Sequence, residues 1–272
     1  MTASVFDSAR ATKIFRGVER TLIAAAERSL SADAVRQQLG KFRHAGLKEA
    51  SDNEFYWALV KVVFYSGFRA STVTAKLSVI HDAFPDFRTV SGYTNDKVAA
   101  ILANPEMIRN RNKITACVRN AQVFCKLIAS CGSIQSWIRS RVADESVTAL
   151  LDFREELQQR LSGIGPITAF HFMTDVGLPV LKPDRVICRL FHRLGFIETE
   201  SDTLGAIRAG RDLAIATGEP IRYIDIVFVA YGQAQTDELG LHRGICLSAS
   251  PACDLCGVRE YCSYEAEGRR RA

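Results

Sequence analysis

Four cysteines, Cys246, Cys253, Cys256 and Cys262, fall within the run ICLSASPACDLCGVREYCSY at the spacing C-x6-C-x2-C-x5-C. Four thiolates can hold an iron–sulfur cube. These uneven intervals suit one loop around a compact [4Fe–4S] cluster better than the paired knuckles of most structural zinc sites. Upstream, Asp184 in LKPDRVICRLF precedes an apolar helical stripe, the place of an N-cap that accepts amide hydrogen bonds from the helix it opens. The cap and a chemical role can coexist, because capping fixes the carboxylate while its other oxygen opposes positive charge developing nearby. Nineteen residues before Asp184, Gly165 closes a Gly-x-Gly turn in LSGIGPITA. Glycines accept positive φ and Pro166 suits a first helical turn, so Gly163, Ile164 and Gly165 can reverse the chain and leave amides, with Thr168 beyond them, for a phosphate. An isolated turn of this kind is also an ordinary helix connection. A nucleotide-binding glycine loop does not fit, since no strand precedes it and the third glycine is missing.

The elements that must position these groups read as helices. In 109–130, Ile114, Cys117, Val118, Ala121, Cys125 and Ile128 recur at three and four residues, and Gly132 follows as a stop. Similar stripes cover 11–30 and 185–194, Gly218 and Pro220 end a segment over 203–217, and Asn95 and Pro105 bracket another. No alternating strand pairs are joined by Asn-Gly or Asp-Gly turns, so the fold is expected to be all-α.

At 272 residues, with 47% apolar and 24% charged, the chain has material for one large or two modest cores and is not a disordered polymer. The longest apolar stretches, 55–68 and 223–231, are short of a bilayer span and carry Lys61 and Asp225, so no membrane helix is expected. The opening MTASVFDSAR lacks a secretory pattern, and a cytoplasmic location is expected. The remaining cysteines, Cys117, Cys125, Cys131 and Cys188, occupy apolar positions and are expected to be small buried hydrophobes. A net charge of +5 permits a polyanionic partner without demanding one. Its distribution says more, with Arg109, Arg111 and Lys113 at one helix start and Arg269, Arg270 and Arg271 together.

The order of glycine hairpin, aspartate and C-x6-C-x2-C-x5-C resembles the helix-hairpin-helix DNA glycosylases of the endonuclease III type, over roughly residues 50–265. That resemblance implies two helical domains, a six-helix unit over 52–178 containing the hairpin and a second built from 1–51 and 179–272 with the cluster loop. It implies a monomeric DNA-binding enzyme in which Asp184 stabilises oxocarbenium character on deoxyribose and helps activate the nucleophile. Bifunctional relatives carry a lysine two residues after the turn's last glycine. Here that residue is Ile167, which cannot form a Schiff base, so the implied enzyme is monofunctional and uses water. Lys182, near Asp184, is the weaker substitute nucleophile, its ordinary reading being a solvent- or phosphate-facing charge.

Reaching a base in duplex DNA requires flipping it, filling the gap and stacking it. Phe55, Tyr56, Trp57, Phe64, Tyr65 and Phe68 crowd one segment, most of them as core; Tyr56 and Trp57 are pocket candidates, and Phe68 or Arg69 is the candidate wedge. Glu54 and His171 could contact a base, though a capping glutamate and a satisfied histidine are the plainer readings.

The run NPEMIRNRNKITACVRNAQVF at 104–124, with its I-x-x-R-x-K-I-x-A pattern, resembles bacterial 3-methyladenine DNA glycosylase I, whose zinc pattern this chain lacks. Together the resemblances point to excision of an alkylated base such as a methylated adenine or cytosine. The alternatives are a mismatched or deaminated base (adenine opposite 8-oxoguanine, or uracil), a noncatalytic DNA-binding iron–sulfur protein, and a zinc-stabilised interaction domain.

Overall fold

A computed structural model describes residues 6–43, 46–234, 236 and 239–264; the Arg269–Arg271 cluster lies outside them. The described residues form fourteen α-helices and no strand beyond one isolated bridge, Thr236 to Leu241. The helices are α1 (Ser8–Ala26), α2 (Ala32–Gly40), α3 (Asp52–Tyr65), α4 (Ala70–Thr74), α5 (Leu77–Ala83), α6 (Phe87–Ser91) and α7 (Asn95–Ala103), then α8 (Arg111–Cys131), α9 (Ile134–Arg141), α10 (Val147–Arg160), α11 (Pro166–Asp175), α12 (Arg185–Arg193), α13 (Thr203–Thr217) and α14 (Ile221–Gly232). No helix is long and apolar enough to cross a membrane among the described residues. Ten helices open on a Ser, Thr, Asp or Asn whose side chain accepts from the new helix. Thr94, not Asn95, caps α7.

Two compact units emerge, residues 47–178 and the two flanks 1–46 with 179–272. In the flanking unit α1 packs on α13 and α14, and α12 on α14. Ile14, Phe15, Val18 and Leu22 give α1 a buried stripe against Tyr223, Ile224, Val227 and Phe228 of α14. Glu19, buried at the same seam, accepts from the Tyr223 hydroxyl at 2.6 Å and pairs with Arg16 and Arg43, which compensates its desolvation.

In the unit 47–178, α3 packs on α8 and α11, and α10 leads through residues 161–165 into α11. Of the two hairpin glycines only Gly163 takes positive φ, 75°, with its backbone close to Ala116 and Val63. Gly165 is extended, with φ −97° and ψ −179°, and serves as the N-cap of α11. Buried Asn120 of α8 clamps the turn by accepting from Ser162 N at 2.7 Å and donating to Ser162 O at 3.0 Å. An Asn120→Ala substitution leaves both backbone groups without that partner; a loss of about 1–3 kcal/mol is expected in denaturant unfolding.

Candidate active site and nucleic-acid interface

Gly165 has no side chain with which to cap α11, and Pro166 at the first helical position has no N–H, so the amides of Ile167 and Thr168 lack a side-chain cap. This is the arrangement that suits an anion at a helix N-terminus. Gly163 is exposed, whereas the Ile164 side chain is in the core, 7% exposed, so only its backbone can serve a phosphate. The Thr168 hydroxyl lies 3.4 Å from that of Ser66.

An open groove of about 630 Å³ runs beside the hairpin, lined by Ser162 and Gly163 and by Asn110, Arg111, Thr115 and Arg119 of the α8 side. Residues 111, 115 and 119 recur every four positions and so share a face of α8, about 6 Å apart along its axis. Arg111 and Arg119 are exposed, and neither is engaged in an ion pair among the described residues. Lys113 also lines the groove, but its charge is already engaged. Its ammonium donates to Val63 O and Ser66 O at 2.5 and 2.6 Å, at the C-terminal end of α3, where the helix dipole favours a cation. Burial lowers its pKa. The same ammonium lies 5.4 Å from the Phe68 ring centre, so the loop carrying the two wedge candidates is braced from α8. Phe68 is 39% exposed and Arg69, the N-cap of α4, is also exposed.

The other pocket candidates divide. Tyr56 belongs to the core, 1% exposed, its hydroxyl donating to Cys117 O and its ring against Phe87 and Phe124. Glu54 is committed to a capping box, accepting from the Ser51 amide at 2.8 Å and hydroxyl at 2.7 Å, which hold its carboxyl below the usual range. Trp57 is half-buried edge-on to His81. His171 on α11 stands 3.6 Å from Asp175 and faces the Tyr65 ring at 6.3 Å. None of the four is gathered with the hairpin glycines in the groove.

In the flanking unit Asp184 caps α12, its Oδ1 accepting from Val186 N at 2.9 Å and Ile187 N at 3.1 Å. Its Oδ2 lies 3.5 Å from the Lys182 ammonium, and both side chains remain partly exposed. One oxygen is therefore immobilised by the backbone and the other faces the Lys182 ammonium. Behind Lys182 sits buried Asp225 of α14, whose role sequence reading missed; the one available signal was an acid inside the apolar run 223–231.

Helix α12 also reaches the cysteine loop. Arg189 donates to Gly232 O at 2.6 Å and Cys246 O at 3.2 Å, and Arg193 to Leu247 O at 2.8 Å and to the Cys246 sulfur at 3.2 Å. Cys246, Cys253, Cys256 and Cys262 line one small pocket with Arg193, Arg259 and Tyr264. None of the four is in a disulfide among the described residues. The Tyr231 hydroxyl donates to the Cys256 sulfur at 3.0 Å. Burial pushes the Cys246 thiol up against the opposing pull of Arg193. Among the described residues no three His, Cys, Asp or Glu side chains are gathered to hold a single metal ion. The donor set fits an iron–sulfur cluster in chemistry, with four sulfurs around one pocket and two hydrogen bonds aimed at sulfur. Of the other cysteines, Cys117 and Cys188 are buried, but Cys125 and Cys131 are only half-buried, contrary to expectation.

The profile of the methyladenine glycosylase family matches residues 43–181. Among solved structures, endonuclease III in a non-covalent complex with DNA aligns with 88% of this chain and 95% of its own at 18% identity and a TM-score of 0.53. The 8-oxoguanine DNA glycosylase of Thermotoga maritima aligns with 79% of this chain and 95% of its own, at 19% identity and a TM-score of 0.50. For 3-methyladenine DNA glycosylase I from Staphylococcus aureus the values are 52%, 84%, 22% and 0.44. The helical architecture is that of the helix-hairpin-helix DNA glycosylases, and the chain belongs to the methyladenine glycosylase family.

Proposed function

We propose that this DNA glycosylase is monofunctional and hydrolyses the N-glycosidic bond of an alkylated base, a methylated adenine or cytosine, in flipped-out nucleotides. The observation that carries the reading is Asp184, a carboxylate with one oxygen locked by two amides and the other beside one ammonium. A fixed negative charge of this kind opposes the positive charge that grows on the sugar as the base departs. Alkylation at a ring nitrogen makes the base a better leaving group, so this carboxylate and water suffice. Ile167 occupies the position of the amine in bifunctional relatives and cannot form an imine.

The grip on DNA is assigned to the amides of Ile167 and Thr168, to Gly163 and to the arginines of the groove, all of which meet phosphate without reading sequence. Phe68, exposed and braced by Lys113, is the better wedge because an apolar ring can replace a departed base in the stack. Cys246, Cys253, Cys256 and Cys262 would hold a [4Fe–4S] cluster. When bound, that cluster supplies a cross-link ordering residues 244–263, and the chain's own Arg193 and Tyr231 donate to its sulfur ligands.

Asp184→Asn is expected to slow single-turnover base release from a methylated duplex by about 10²–10³-fold, with wild-type protein giving no borohydride-trapped complex on the same DNA. Normal release by the variant contradicts the assignment, and a trapped complex contradicts the monofunctional reading. Arg111→Ala with Arg119→Ala is expected to weaken DNA binding across all sequences and to lower the slope of log affinity against log salt by about 2, measured by fluorescence anisotropy. Protein purified without oxygen is expected to be brown and to contain about four iron and four sulfide per chain; stoichiometric zinc in their place rules the cluster out.

A further inference from the structure

Asp225 stands on α14 in an apolar neighbourhood and is 2% exposed. A carboxylate so enclosed costs folding energy unless both oxygens are used, and both are. Oδ2 accepts from Arg222 Nη1 at 2.6 Å, while Oδ1 accepts from the backbone N–H of Lys182 at 3.1 Å. The second partner is the informative one. Lys182 begins a three-residue turn that closes when Asp184 N donates to Lys182 O at 2.8 Å, with Pro183 stiffening its centre. The Lys182 ammonium then lies 3.5 Å from Asp184 Oδ2. Leu181, the residue before the turn, is fully buried over Gly210, where a Cβ would come within 2.2 Å of Leu181 Cδ2. The turn is therefore held at its entry by Asp225 and Leu181 and at its exit by the cap of α12.

We propose that Asp225 is the positioning residue for Asp184. By fixing Lys182 N it sets the turn that holds the Asp184 carboxylate and the Lys182 ammonium as a preset pair. The inference rests on the reading of Asp184 as the carboxylate of base release. Asp225 touches no reacting atom. It acts through three residues of chain, and a shift of about 1 Å in a reacting group can cost 10²-fold in rate.

The test uses full-length protein and a damaged duplex that the wild type processes, comparing Asp225→Leu, of similar shape but unable to accept, Asp225→Asn, which keeps an acceptor, and Asp184→Asn. Single-turnover base release, DNA affinity and thermal midpoint are measured for each. The expected result is a fall of roughly 30-fold or more in the release rate of Asp225→Leu, within the range that misplacement produces, with DNA affinity held, and recovery of most of that loss in Asp225→Asn. Where Asp225→Leu does not fold, Asp225→Ser, too short to reach Lys182 N, takes its place with the same outcomes. A wild-type rate in Asp225→Leu or Asp225→Ser, or a rate that falls only in step with DNA affinity, overturns the proposal while leaving Asp184 standing. A wild-type rate in Asp184→Asn overturns the underlying reading itself.

Discussion

A half-buried carboxylate keeps its direction only while hydrogen bonds replace the water it has lost, and in this chain that requirement falls on the first turn of α12. Two of its amides hold one oxygen of Asp184, so the side chain does not swing with solvent. Helix α12 is tied to the rest of the flanking unit through α14 and α13. Its body sends Arg189 and Arg193, one turn apart, to the backbone around Cys246, and α14 packs beside it with a buried acid on the approach to the cap. The candidate acid and the cysteine loop thus share a single rigid element.

The two helices of the candidate site, α11 and α12, solve the same terminal problem in opposite ways. α12 satisfies its first amides internally, with a side chain that thereby acquires a fixed orientation. α11 leaves its first amides without a side-chain cap, since glycine cannot provide one and proline has no N–H to satisfy. The first arrangement holds a negative charge that belongs to the protein; the second leaves room for one that arrives with a ligand. Asn120, inside the I-x-x-R-x-K-I-x-A region's helix, keeps the open turn in shape by bonding both the N–H and the C=O of Ser162.

The helical character, several helix ends and the cap at Asp184 were legible because they depend on local periodicity and on side chains reaching amides two or three residues away. Gly132 and Gly218 stop their helices with positive φ as their positions suggested. The pocket was much less legible. Tyr56 and Trp57 are neighbours of one type in sequence, yet one is core and the other half-exposed, a difference set by which face of α3 meets α8. Glu54 could be read either way until the Ser51 bonds decided it. Asp225 was invisible as a partner because its contact with Lys182 spans 43 residues, and no local pattern encodes such a bond. Gly165 was misjudged in detail, since its value lies in a missing side chain rather than in a left-handed backbone.

Because one unit is assembled from both flanks of the other, the order in which the ribosome delivers the chain has a consequence. Helix α1 emerges well before α13 and α14, with Ile14, Phe15, Val18 and Leu22 on one side, and must wait for them before that greasy stripe is covered. The segment 47–178, continuous in sequence, is meanwhile free to collapse on its own. A helix made before the 47–178 segment thereby completes its packing only after that segment has been made, and until then it is a natural client for chaperones.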